Sequence, residues 1–109
     1  MSLDIWLTVP PTERTHVFDA NITHNLSKMA GEAGIYDCLW RAPERGYKRA
    51  WQLIEPLQRA LELMKENPER FKKFDAPNGW GTYIDFVPWL ERLLAACMVH
   101  PEAMIEISR

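Results

Sequence analysis

The run with the most chemical potential in this chain is Asp75-Ala76-Pro77-Asn78-Gly79-Trp80-Gly81-Thr82, a turn-forming segment with a tryptophan between two glycines, directly ahead of a long amphipathic stretch. Glycine on both sides permits backbone angles that a side chain would forbid, and Trp80 brings a large apolar face with one N–H donor. A second polar cluster, Asn21, Thr23, His24 and Asn25, stands at an expected strand-to-helix junction. If the two clusters meet, Trp80 and Tyr83 form a stacking wall, and Asn21, Asn25 and Asn78 supply donors and acceptors. Such a site suits a small polar or nucleotide-like ligand. The same residues also have architectural explanations: a helix cap accounts for two of the first cluster, turn geometry for Asn78-Gly79, and a core plug held by its indole N–H for Trp80.

Trp40, Arg41, Arg45, Tyr47, Lys48, Arg49 and Trp51 make the one basic and aromatic neighbourhood. It reads as a surface for a protein partner, since tryptophan, tyrosine and arginine are the residues that anchor interfaces. Nucleic acid is a poor match, because Glu44 dilutes the patch and the chain carries fifteen acidic against thirteen basic side chains, a net charge of −2. For catalysis, the one pairing worth a test is His24 with Asp75, which would have to share a cleft. Neither Cys38 nor Cys97 lies in a glycine-rich or helix-starting context that would activate a thiol. Both read as small buried hydrophobes rather than a disulfide. His16, His24 and His100 lack the spacing of a metal site, and no phosphate-cradling glycine loop or paired-carboxylate motif is present, so neither metal nor cofactor is expected.

With 109 residues and 47% apolar content, the chain fits one domain, residues 1–109, with a real core. No apolar run approaches the roughly 20 residues of a membrane span, and no basic segment leads into an apolar one at the N-terminus. The expected setting is the cytoplasm, away from membranes.

The elements that must position these clusters follow from periodicity. Leu3, Ile5, Leu7 and Val9 alternate with Asp4, Trp6 and Thr8, a strand with one buried face. Residues 10–14 break it and residues 15–22 resume, which predicts a hairpin with a five-residue connection and a second strand ending near Asn21. A helical stripe then runs through Leu26, Met29, Ala30 and Ala33, with Thr23 or Asn21 as N-cap and Gly34 as terminator. Residues 35–40 read as a helical turn and 41–46 as a loop. A strong amphipathic helix carries Ala50, Leu53, Ile54, Leu57, Ala60, Leu61 and Met64 on one face. Pro56 should kink it or start a new helix. Asn67-Pro68 stops it, and residues 69–74 add a turn with Phe71 and Phe74 inward. Thr82 with Asp85 resembles a capping box for a last helix, whose stripe is Tyr83, Phe86, Val87, Leu90, Leu93, Leu94, Cys97 and Met98. Pro88 repeats the Pro56 arrangement, so the two helices are expected side by side. Residues 104–108 form a third strand beside the first. The fold class is α+β: a small three-stranded antiparallel sheet, the N-terminal hairpin plus the C-terminal strand, covered by three to four helices.

Asn21-Ile22-Thr23-His24-Asn25, then Asn78-Gly79-Trp80-Gly81-Thr82-Tyr83, Val87-Pro88, Leu90, Leu93-Leu94 and His100-Pro101 ahead of a closing strand resemble a family of small phage and prophage-associated proteins. The resemblance runs from Leu3 to Ser108, with no counterpart for residues 35–46. It implies a phage setting, hence the host cytoplasm, and a compact α+β fold, but no activity. Combined with the residues, it gives a leading expectation of a non-enzymatic accessory protein that binds a host protein through Trp40, Arg41, Arg45, Tyr47, Arg49 and Trp51. The alternatives are a module that binds or sequesters a small polar or nucleotide-like ligand through Asn21, Thr23, His24, Asn25, Asn78, Trp80 and Tyr83, and a small enzyme centred on His24 and Asp75.

Overall fold

A computed structural model describes residues 1–9 and 15–109. Among these, three strands and five α-helices follow in the order β1 (Ser2–Val9), β2 (Thr15–Thr23), α1 (Ser27–Glu32), α2 (Tyr36–Trp40), α3 (Trp51–Glu66), α4 (Pro68–Lys72), α5 (Tyr83–Val99) and β3 (Met104–Ser108), with single 3-10 turns at His24–Leu26 and Pro43–Arg45. The fold is α+β, as the alternation and helical stripes predict. The sheet is antiparallel in the order β2-β1-β3, so the last strand does lie beside the first. The expected five-residue connection, 10–14, lies outside the described residues.

Leu3, Ile5 and Leu7 of the central strand are fully buried, with Ile5 between Ala20 and Ile107 and Leu7 between Phe18 and Ile105. The β1–β2 register shifts between Leu7 and Thr8. Strict alternation fails there, because a bulge places two consecutive side chains on the same side of burial. Thr8 is accordingly fully buried, and among the described residues its Oγ1 has no hydrogen-bond partner.

Helices α3 and α5 pack antiparallel: Lys65 Nζ donates to Glu91 Oε2 at 2.7 Å, the Tyr83 hydroxyl donates to the Met64 carbonyl at 2.8 Å, and Trp51 N donates to the Pro101 carbonyl at 2.9 Å. Neither proline breaks its helix. Pro56 and Pro88 each stand sixth in a continuous helix, which leaves one carbonyl a turn earlier without an amide donor. Pro88 is exposed and Pro56 half-buried, so water can reach this side of both helices.

Helix α3 has no capping side chain of its own. The segment after α5 meets its first amide through the Trp51 bond and that of Ala50, just ahead of it, through the Ala103 carbonyl at 2.8 Å, while Gln52 Oε1 accepts from Lys48 N and Arg49 N in the approach to the helix. Three boundaries differ from the periodicity reading. Strand β2 continues to Thr23, residues 41–46 include a 3-10 turn, and Met98 is 56% exposed rather than part of the buried stripe, where Trp89 packs instead at 4%. The indole Nε1 of Trp89 donates to the Asn21 carbonyl at 3.0 Å, tying α5 to the edge of β2.

An orphaned hydroxyl in the core costs about 1 kcal/mol or more, and valine has nearly the shape of threonine. Thr8→Val should therefore raise stability by about 1 kcal/mol, seen as a higher midpoint in thermal or urea unfolding. A fall would mean that the hydroxyl has a partner.

Candidate functional site

The loop around Trp80 is built by its own backbone. Gly79 N donates to the Ala76 carbonyl and Ala76 N to the Gly81 carbonyl, while Asn78 Oδ1 accepts from Trp80 N at 3.0 Å. Gly79 and Gly81 take φ of +77° and +114°, conformations that favour glycine strongly. Gly81 is buried against the β2–α1 junction, where an added Cβ would lie 3.1 Å from Asn25 Cβ, 3.1 Å from Thr23 Cγ2 and 3.3 Å from Leu26 Cγ. Asn25 Nδ2 completes the junction by donating to the Trp80 carbonyl at 2.7 Å. The two polar clusters thus meet in space.

Between them opens a cleft of about 450 Å³. Ile22 and Leu26 line its apolar part, Trp80 and Gly81 one wall, and Ser2, Asn21, Thr23 and Asp85 its polar groups. The Trp80 side chain is no core plug: the residue is 72% exposed. Asn21 Nδ2 donates to Ser2 Oγ at 2.8 Å and Asp4 Oδ1 at 2.7 Å, so its amide oxygen is the end left for a ligand. Thr23 caps the helical start by accepting from Asn25 N, as one of the two candidate caps. Asp85 belongs to the α5 cap, its backbone N–H donating to Thr82 Oγ1 and its carboxylate accepting from the Thr82 hydroxyl.

Three residues expected in this site have other work. Tyr83 does not line the cleft: Lys72 Nζ lies over its ring, its hydroxyl donates to the Met64 carbonyl and its amide N–H donates to Asp75 Oδ1 at 2.7 Å. Asn78 serves the turn. His24 lines a different cleft with Met1, Ser27, Tyr36, Trp40 and Arg109, and its Nδ1 accepts from Trp40 Nε1 at 2.8 Å. With Asp75 capping α5 and His24 holding Trp40, the proposed acid and base serve separate structural bonds. Residues missed as lining, Ser2, Ile22, Leu26 and Asp85, gave signals only of strand, core or cap.

The basic and aromatic neighbourhood divides. Trp40 is 2% exposed and stacked on Tyr36 with centroids 5.6 Å apart, so it presents nothing to a partner, a correction to its expected role. Arg41 pairs with Glu44 at 3.3 Å, Arg45 with Asp37 at 3.7 Å, and Arg49 Nη1 donates to the Glu102 carbonyl at 2.9 Å. Arg45, Tyr47 and Trp51 do come together, with Gln52 and Arg59, around a groove of about 410 Å³ where Trp51 is 54% exposed. Arg59 is paired with Glu55 in that groove. Compensated in this way, the arginines make no continuous positive field.

Cys38 and Cys97 are buried free thiols, and burial pushes each up to about 12. Among the described residues, no group of three or more histidine, cysteine, aspartate or glutamate side chains could hold a metal ion, and no helix is long and apolar enough to cross a membrane.

Gly81→Ala should cost at least about 2 kcal/mol, since it combines positive φ with close approach to three side chains. Gly31→Ala is the control: it is in a helix with open space around it and should be neutral or stabilising by up to about 1 kcal/mol. Equal effects in urea unfolding would refute the seating of the loop. Both thiols should resist alkylation at pH 8 until denaturant is added, and because their folded values lie above the unfolded value of about 8.5, stability should decline as pH rises from there toward 12. No family model, curated protein or solved structure matches the chain.

Proposed function

We propose that this protein is a binding module that recognises a partner protein through Trp80 and the cleft beside it. The observation that supports this is a 72% exposed tryptophan on a loop whose backbone is held by four hydrogen bonds, Gly79 N to Ala76 O, Ala76 N to Gly81 O, Trp80 N to Asn78 Oδ1 and Asn25 Nδ2 to Trp80 O. Leaving such a ring in water forgoes roughly 2 kcal/mol of burial. Because the loop is already ordered, a partner that covers the ring gains that area with little further entropy cost. The open cleft favours a side chain presented by a larger molecule over an engulfed small ligand, which needs most of its surface enclosed. The resemblance to phage-associated proteins favours a host protein as that partner, with this chain as an accessory factor acting on it in the host cytoplasm.

A second surface has one observation in its favour. Trp51, 54% exposed over the groove of Arg45 and Tyr47, is the other tryptophan available as an anchor. It retains half of the aromatic and basic surface expected around residues 40–51.

The test is the affinity of the purified partner for three variants. Trp80→Ala should weaken binding about 30-fold, equivalent to about 2 kcal/mol, and leave folding stability within about 0.5 kcal/mol. Trp51→Ala and Arg45→Glu should leave binding nearly unchanged. The reverse pattern would transfer recognition to the Trp51 groove.

A further inference from the structure

We infer that the Trp80 cleft takes a guanidinium group, an arginine side chain of the partner, rather than an anionic or nucleotide-like ligand. This rests on the reading of Trp80 as the recognition anchor and adds the chemistry of what it holds. The polar groups around the cleft are weighted toward acceptors. Asp85 contributes a carboxylate, Asn21 presents its amide oxygen because Nδ2 is spent on Ser2 and Asp4, and the Asp4 carboxylate lies one hydrogen bond behind. Among the described residues, no lysine, arginine or histidine side chain lines the cleft. Met1 also lines the cleft, and at 98% exposure it stands in water.

An indole face attracts a cation through its quadrupole, and arginine adds a flat surface that stacks on the ring with five N–H donors at its edge. Those donors match the carboxylate and amide oxygens, and the arginine stem matches the half-buried Ile22. Ammonium would satisfy the charge but not the flat contact. A phosphate would meet the Asp85 carboxylate with no basic side chain among the described lining residues to compensate it. The helix-start preference for anions is already met at α5, where Asp85 itself stands in the first turn.

The probe is the indole Nε1–H resonance of Trp80, assigned by its loss in Trp80→Phe and followed by NMR during titration with N-acetyl-arginine methylamide. N-acetyl-citrulline methylamide, neutral and nearly isosteric, and adenosine monophosphate are run in parallel. The expected result is a saturable shift with the arginine ligand, at least about tenfold weaker affinity for citrulline, and no shift with the nucleotide. Asp85→Asn, which keeps an oxygen for the Thr82 hydroxyl, should weaken arginine about tenfold and remove most of its advantage over citrulline. Equal affinity for arginine and citrulline, or a shift with the nucleotide alone, would overturn the inference. If no probe shifts Trp80 while Trp80→Ala still breaks the partner complex, the guanidinium inference fails and the anchor reading stands. If Trp80→Ala leaves that complex intact, both fail.

Discussion

The close approach of Gly81 to the junction of β2 and α1 is the contact on which the rest of the site depends. A side chain at that position would meet Asn25, Thr23 and Leu26 at 3.1 to 3.3 Å and would have to hold a φ of +114°, so glycine lets the loop seat this closely without strain. Seating brings the Trp80 carbonyl onto Asn25 Nδ2 and turns the indole outward. It also sets the start of α5, where Asp75 and Thr82 meet the first free backbone donors. One steric condition therefore links the sheet edge, the helix cap and the exposed ring.

The other tryptophans show what exposure of Trp80 means. Trp40 and Trp89 are buried, and each indole N–H has found an internal acceptor, His24 Nδ1 and the Asn21 carbonyl. Trp6 is half-buried at the centre of the sheet, between Asp19 and Glu106. Where the fold uses tryptophan for cohesion, it covers the ring and satisfies the donor. Trp80, and to a lesser degree Trp51, depart from that use. These two rings stand beside the two clefts that bring together residues of the expected ligand-binding and partner-binding clusters.

Much of the architecture was legible because its periodicity is strong. Residues 104–108 alternate cleanly and form β3 with those bounds, and the stripes of α3 and α5 locate both helices. The prolines were ambiguous in physical terms: whether a helix continues through Pro56 depends on whether its freed carbonyl is wet, which no local pattern states. The bulge at Leu7 and Thr8 was equally hidden, because it is set by the partner strand. For the candidate site, glycines flanking Trp80 and polar residues at the junction marked the two segments that the fold brings together. The roles of individual residues were less visible. His24 and Trp40, sixteen positions apart, become partners only after α2 packs, and Asp85 reads as a cap until the fold places it against the cleft.

The seating of the loop is tested most directly by proton NOEs in solution. The account requires strong cross-peaks from the Gly81 α-protons to the Thr23 methyl and the Leu26 methyls, with the Trp80 ring protons giving few contacts to the core. Absence of the Gly81 cross-peaks, or a Trp80 ring in dense contact with core methyls, would contradict it.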